Sequence, residues 1–367
     1  ENPGLKNLFN MGNQAQGVQQ QSLAAAVFAY AANIDKPEVL KPVINRIVHK
    51  HASLGIKTEH YPIVGRHLLS AIKEVLGEAA TEPLLNAWSE AYSMLADLLI
   101  SEERKLYSNH SMRPGELIEV RVSRISQESV LIKAFELAAV DGKPLPAFNP
   151  GQYISVAVDF PDGSRQLRQY SLSDTPVKPH YRISVKREVE QADRPSGQVS
   201  NWLHENINVN DRIWVSPPYG DFVPGIDGDD PIILISAGVG ITPMISTLNH
   251  LSHTQPKRPV IFAHAARDRS HHSHKDDIEA ALGNMPFLRV ATFYESIHES
   301  DDLNEDVFKG ELQLSTIPGW DHESAEIYLC GPLGFMKKQW KELLGAGIAK
   351  QRIHREVFGP DLLDNLL

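Results

Sequence analysis

Cysteine is nearly absent from these 367 residues: Cys330 stands alone. An internal disulfide is thereby excluded, and the usage fits a reducing compartment. Positive charge is also short, with 36 Lys and Arg against 46 Asp and Glu and a net charge of −10. That balance argues against general nucleic-acid binding, which needs excess cations along a phosphate backbone. No apolar run approaches the ~20 residues that a membrane-spanning helix requires. The opening Glu1-Asn2-Pro3-Gly4 has the pattern of neither a signal nor a transit peptide. A cytoplasmic protein is expected, with no membrane span and no nucleic-acid partner.

What is present is ordinary for a folded chain, 42% apolar and 22% charged. The length implies two or three domains. The first region reads as helices. One runs over Gln19 to Asn33, with Gln19, Leu23, either Ala26 or Val27, and Tyr30 on one face. The next starts near Pro37, a residue suited to a first helical position, and stops at Gly55. Its apolar stripe of Leu40, either Val43 or Ile44, and Ile47 continues into His51. A third helix covers Glu59 to Leu76 and carries Tyr61. A fourth covers Glu82 to Tyr107, and its stripe of Trp88, Tyr92, Leu95 and Leu99 runs on into Glu103. Taken alone, His51 is more often a hydrogen-bonded core residue than a ligand. Tyr61 alone is packing, Glu103 alone is a solvated helix end, and Gln19 alone is an exposed helix residue.

Residues 108–115 are polar and turn-forming and mark a linker. Short β-branched runs follow from Leu117 to Ser216, separated by Gly and Pro, as in an antiparallel barrel. Within them stand Pro150-Gly151-Gln152-Tyr153 and Arg168-Gln169-Tyr170-Ser171. Arg168 and Tyr170 share one strand face. Gly197-Gln198-Val199-Ser200 opens a short helix whose free N–H groups suit a phosphate. Pro231 to Ser236 is a continuous apolar run, as in a buried parallel strand. Gly238-Val239-Gly240-Ile241-Thr242-Pro243 follows directly; Thr242 is expected to cap the next helix and Pro243 to begin it. A later strand, Ile327 to Cys330, ends in Gly331-Pro332. Arg267 and Arg269 suit either a 2′-phosphate or plain solvent. The run Ser270-His271-His272-Ser273-His274 reads as a polar loop, with a metal site as the lesser reading.

In this order and at these spacings, the later motifs resemble the ferredoxin-reductase-like flavin and nicotinamide module, and the chain before them resembles a globin. Together they resemble a flavohaemoglobin, the nitric oxide dioxygenase of bacteria and fungi. The resemblance implies an all-α globin domain (1–107), a linker (108–115), an antiparallel β-barrel FAD domain (116–225) and an α/β parallel-sheet NAD(P)-binding domain (226–367). It implies haem b with its iron, FAD and NAD(P)H as cofactors, and O2 and nitric oxide as substrates of a monomer. NAD(P)H would reduce FAD, FAD would reduce haem, and haem-held oxygen would turn nitric oxide into nitrate.

The same resemblance implies residue roles. His51 matches the iron ligand, with Tyr61 and Glu103 behind it. Phe9, Gln19 and Leu23 match the distal haem wall. Lys50 and Glu356 match residues that tune redox balance. Tyr153, Arg168, Gln169, Tyr170, Ser171, Gly197, Gln198, Val199, Ser200, Val357, Phe358, Gly359 and Pro360 match the FAD site. Gly238, Val239, Gly240, Ile241, Thr242, Pro243, Cys330, Gly331 and Pro332 match the NAD(P) site. A globin has two more helices before Pro3, one carrying a distal Tyr, so weak haem retention is expected of the chain as given. Two other readings remain: an NAD(P)H-dependent flavin or ferric reductase with a non-functional globin part, and a haem-based oxygen carrier or sensor.

Overall fold

The computed structural model describes residues 18–190, 195–298 and 306–359. It begins with helices α1 (Val18–Ala32), α2 (Lys41–Leu54), α3 (His60–Leu76) and α4 (Glu82–Asn109). A 3-10 turn at Pro37–Leu40 precedes α2, so the helix expected from Pro37 starts later than its proline. Gly55 ends α2 in the left-handed region (φ 71°). A side chain there would strike the backbone of Gly115, so the helix end and the entry to the next domain approach more closely than any Cβ allows. The helical core gathers Tyr30, Leu40, Val48, Tyr61, Leu95 and Leu99. Leu23, expected on a buried face, is 39% exposed. Helix α4 runs two residues into the segment expected as linker.

The next unit is a six-stranded antiparallel sheet in the order β4-β3-β6-β1-β2-β5. Its strands are β1 (Ile118–Ser129), β2 (Ile132–Ala139), β3 (Tyr153–Asp159), β4 (Arg165–Ser171), β5 (Tyr181–Lys186) and β6 (Arg212–Val215). A bridge between Leu172 and Ile183 joins the two edges, which closes the barrel. Inside lie Val120, Phe135, Leu137, Ile154, Val156, Leu172 and Ile183. Helix α5 (Gln198–Asn206) packs Val199 and Leu203 onto this core and starts within the segment expected to open it.

The last unit is a six-stranded parallel sheet in the order β10-β9-β8-β7-β11-β12. Strand β7 (Ile232–Ala237) is central and buried throughout, as its unbroken apolar run requires. Around it lie α6 (Ile241–Thr254), β8 (Val260–Ala266), α7 (Lys275–Asn284), β9 (Leu288–Tyr294), β10 (Val307–Lys309), β11 (Glu326–Cys330), α8 (Leu333–Gly345) and β12 (Ile353–Glu356). The two edge strands, β10 and β12, are too short and too polar to show a strand pattern in sequence. The expected fold class, a helical globin region followed by an antiparallel and then a parallel sheet, is the one found.

Candidate functional site

Helix α2 turns His51 toward α3 and α4. Its Nδ1 lies 2.9 Å from Glu103 Oε1 and 3.0 Å from the Tyr61 hydroxyl. Tyr61 in turn donates to the same carboxylate oxygen. Glu103 is only 3% exposed, far from the solvated helix end that an isolated acid would occupy. Burial, followed by the nearby Glu103 carboxylate, raises the Tyr61 phenol, which keeps its proton as a donor. Tyr92 donates to the Tyr61 carbonyl at 2.7 Å and stiffens that turn of α3. The His51 side chain is 31% exposed, and Nε2 makes no hydrogen bond among the described residues. One ring nitrogen is thus committed to a carboxylate while the other is left for a ligand.

On the barrel, β4 places Arg168 and Tyr170, both half-buried, beside the buried Ser171. Burial lowers the Arg168 guanidinium and raises the Tyr170 phenol. Arg168 Nη1 donates to the Leu167 carbonyl at 2.7 Å and to Gln166 Oε1 at 3.1 Å, so its head is oriented. Tyr153 is fixed by a mutual backbone bridge to Tyr219, both bonds 2.8 Å. Gly197 precedes the first turn of α5, followed by the exposed Gln198 and the buried Val199 and Ser200. A Cβ on Gly197 would lie 2.7 Å from Ser200 Oγ and 2.9 Å from Glu188 Cβ. Only glycine leaves the helix N-terminus open there.

In the parallel sheet, Gly238–Gly240 forms one 3-10 turn between β7 and α6. A Cβ on Gly240 would meet the Cys330 carbonyl oxygen at 2.5 Å, so the glycine turn lies against the end of β11. Val239, Gly331 and Pro332 border this contact, and Cys330 is fully buried. Burial raises the Cys330 thiol well above its ordinary value, which suits a shape-giving residue. Thr242 and Pro243 do not act as expected. Helix α6 already starts at Ile241, Gly240 is its cap, and the Thr242 hydroxyl donates back to the Val239 carbonyl at 3.0 Å. The glycine turn winds straight into the helix, which pushes both residues into its first turn.

Helix α2 also meets the barrel. The Gly220 N–H donates to His49 Nδ1 at 2.9 Å, and Arg46 lies 3.8 Å from Asp221. Gln169 Nε2 is 3.4 Å from Ser53 Oγ. Lys50 Nζ donates to the Gly359 carbonyl at 2.7 Å, which ties the helix to the closing segment that carries Val357 and the 44% exposed Phe358. Glu356 ends β12 beside Cys330 in the sheet register. Phe9 and Pro360 lie outside the described residues, as does the side chain of Gln19, although its backbone belongs to α1.

Residues 1–99 match the globin family model, and residues 234–341 match the model described as an oxidoreductase NAD-binding domain. A flavohaemoprotein of Bordetella parapertussis is 49% identical over an alignment that covers 98% of this chain and 90% of the relative. The chain belongs to the flavohaemoprotein family. A Rhizobium meliloti flavohaemoprotein is 46% identical over 98% of this chain and 90% of its own length. A flavohaemoglobin of Malassezia yamatoensis, crystallised with bound FAD and haem, superposes with a TM-score of 0.82 at 27% identity, covering 97% of this chain and 90% of that one. The FAD/NAD-binding domain of a nitric oxide dioxygenase from Vibrio cholerae gives a TM-score of 0.59 at 37% identity over 66% of this chain and 99% of its own. Family and NAD-binding domain together make the protein an oxidoreductase. No helix among the described residues is long and apolar enough to cross a membrane.

Two features of this flavohaemoprotein escaped the sequence. His49 looked like any helix residue beside a candidate ligand, and only the placement of Gly220 gives it a partner. The histidine run is no solvated loop: His272, Ser273 and His274 are 4%, 1% and 0% exposed. His272 Nδ1 meets the Tyr294 hydroxyl at 2.9 Å, and its ring packs against His264 at 4.7 Å. Ligand atoms of Glu128, His274 and Asp277 gather within 4.8 Å. Both Asp277 oxygens, however, are taken by Arg182, Asn249 and His274, and the guanidinium disfavours a cation beside it.

Proposed function

We propose that the protein is a nitric oxide dioxygenase that draws electrons from NAD(P)H and converts nitric oxide and O2 to nitrate, acting as a cytoplasmic monomer. The observation that carries this reading is the His51–Tyr61–Glu103 cluster, built into the same chain as a flavin strand and a nicotinamide turn. The domains are read as globin (1–107), linker (108–115), FAD barrel (116–225) and NAD(P) domain (226–367).

The residues fit the cofactors. His51 offers one unused imidazole nitrogen for a haem iron, and its other N–H donates to a buried carboxylate. The exposed Leu23 on α1 would border the haem, together with Gln19 and Phe9. The open N-terminus at Gly197 would take the FAD pyrophosphate with Arg168, Gln198, Val199 and Ser200. Tyr153, Gln169, Tyr170 and Ser171 would hold the flavin ring, closed over by the segment Val357 to Pro360. The nicotinamide cofactor would rest on Gly238 to Pro243 and on Cys330 to Pro332. When bound, FAD divides the electron pair of a hydride into single electrons, and haem iron supplies the oxygen chemistry.

The chain's own contribution is positional and electrostatic. Glu103 orients the His51 ring and adds negative charge behind it, which strengthens the imidazole as a donor. Lys50 and Glu356 lie where charge between haem and flavin would be adjusted. Cys330 and Gly240 shape the wall against which a nicotinamide would be pressed.

An absorption spectrum of the purified protein, taken anaerobically before and after NADH, tests the relay. Soret and flavin bands that both change are expected. Nitric oxide, NADH and O2 together should then yield nitrate. NADH oxidation with ferricyanide but without nitrate would overturn the dioxygenase reading in favour of a flavin reductase.

A further inference from the structure

Among the described residues, His274 is the buried non-glycine position with a left-handed backbone: φ is 60° and ψ is 29°, with no exposed surface. Such conformations persist only where surrounding contacts hold them, and they concentrate at functional positions. Its contacts are directional. Nδ1 donates to Asp277 Oδ2 at 2.8 Å, within the parallel-sheet unit. Nε2 lies 2.9 Å from the Ser184 hydroxyl, across to β5 of the barrel. Ser184 Oγ is 2.9 Å from Ser173 Oγ, just past the β4 end that carries Ser171. From the barrel side, Arg182 returns the connection. It donates to the Ser173 carbonyl and to both oxygens of Asp277, at 3.3 and 3.0 Å. The result is a closed, largely buried ring of polar contacts between the two units.

We propose that His274 is a positioning residue for hydride transfer: through Ser184 and Ser173 it fixes the flavin strand against the nicotinamide-binding sheet. The inference rests on the oxidoreductase reading given above. Two domains of one chain move relative to each other unless a buried interface holds them. Hydride transfer tolerates little such freedom, since about 1 Å of misplacement costs up to roughly a hundredfold in rate. A lone apolar contact leaves sliding open, whereas a ring of buried hydrogen bonds has one satisfied geometry. From this left-handed backbone Nε2 faces Ser184 of the barrel, while Nδ1 meets Asp277 at 2.8 Å and Glu128 of β1 at 3.6 Å.

The test uses the full chain loaded with its cofactors. His274→Asn tolerates the left-handed backbone and still donates to Asp277, but it is too short to reach Ser184. Ser184→Ala removes the same bond from the other side. Each variant should keep its FAD and its apparent NADH affinity. Each should lower the limiting rate of flavin reduction by NADH, in anaerobic stopped flow, by about tenfold. The double variant should be no slower than Ser184→Ala, because the His274–Ser184 bond that His274→Asn removes is already absent there. Hydrogen exchange should quicken over residues 172–175 and 181–186. A limiting rate equal to that of the unsubstituted protein, or additive losses in the double variant, would overturn the inference even if exchange quickens. An unsubstituted protein whose flavin NADH does not reduce overturns the oxidoreductase reading and this inference with it.

Discussion

His49 accepts the backbone N–H of Gly220 at 2.9 Å, and His51 follows two positions later on the same helix. One helix therefore both presents the candidate iron ligand and docks on the barrel. Ala52 reinforces the arrangement, since it is buried in one cluster with Tyr107 of α4 and Tyr219 of the barrel. The helix that holds His51 is thus packed directly on the segment that follows β6.

Replacement of His51 by Ala should remove haem while leaving FAD in place. The ligand nitrogen is lost, yet Arg168, Tyr170 and Gly197 are untouched. Absorption of the purified variant should show flavin bands without a Soret band. A Soret band of unchanged position and intensity would reject His51 as the ligand.

Glu103→Gln keeps an acceptor for His51 and Tyr61 but removes the negative charge. Nitrate formation should fall by about ten- to a hundredfold, the usual cost of losing an outer partner of a metal-bound histidine. Reduction of the flavin by NADH should be unaffected. Equal losses in both steps would eliminate the electrostatic role of Glu103.

Gly197→Ala should weaken FAD binding more than it weakens folding. The new methyl would have to displace the Ser200 hydroxyl or the Glu188 side chain, the nearest of which is 2.7 Å from it. Overpacking of this kind costs about 1–3 kcal/mol. Fluorescence titration of the apoprotein with FAD should show affinity reduced by at least about tenfold. Arg168→Ala should have a comparable effect, because it removes the cation proposed to meet the FAD pyrophosphate.

Acid should destabilise the parallel-sheet unit through its buried histidines. Burial, reinforced by His274, pushes His264 down to about 3, and His272 is also held well below its ordinary value. The unfolded chain takes up protons near pH 6.5, which the folded chain refuses until a much lower pH. Stability is therefore fully present above about pH 6.5 and falls as the pH drops toward about 3, by up to about 1.4 kcal/mol per pH unit for each such group. Urea midpoints compared at pH 7 and pH 5 should show this decline, and His264→Asn should flatten it. An unchanged slope in that variant would show that His264 does not bear the proton difference.

The order of the units was legible in the sequence because each depends on local pattern. Apolar spacing of helical period marks α1 to α4, β-branched runs between glycines mark the barrel, and the unbroken run before Gly238 marks a strand buried on both faces. Glycine, proline and strand-end chemistry are likewise local, so the flavin and nicotinamide motifs could be read where they stand. Tertiary structure alone decided what those residues meet. Glu103 is a buried acceptor because α4 crosses α2 at that turn, and nothing in its own stretch distinguishes it from a solvated acid. Thr242 lost its expected capping role to a glycine turn that winds directly into the helix. The run from Ser270 to His274 has a loop's composition, yet its last three residues are buried, with His272 bonded to Tyr294 and His274 to Ser184 and Asp277. Those partners are distant in sequence, and hydrogen bonds of that kind leave no periodic trace in the chain.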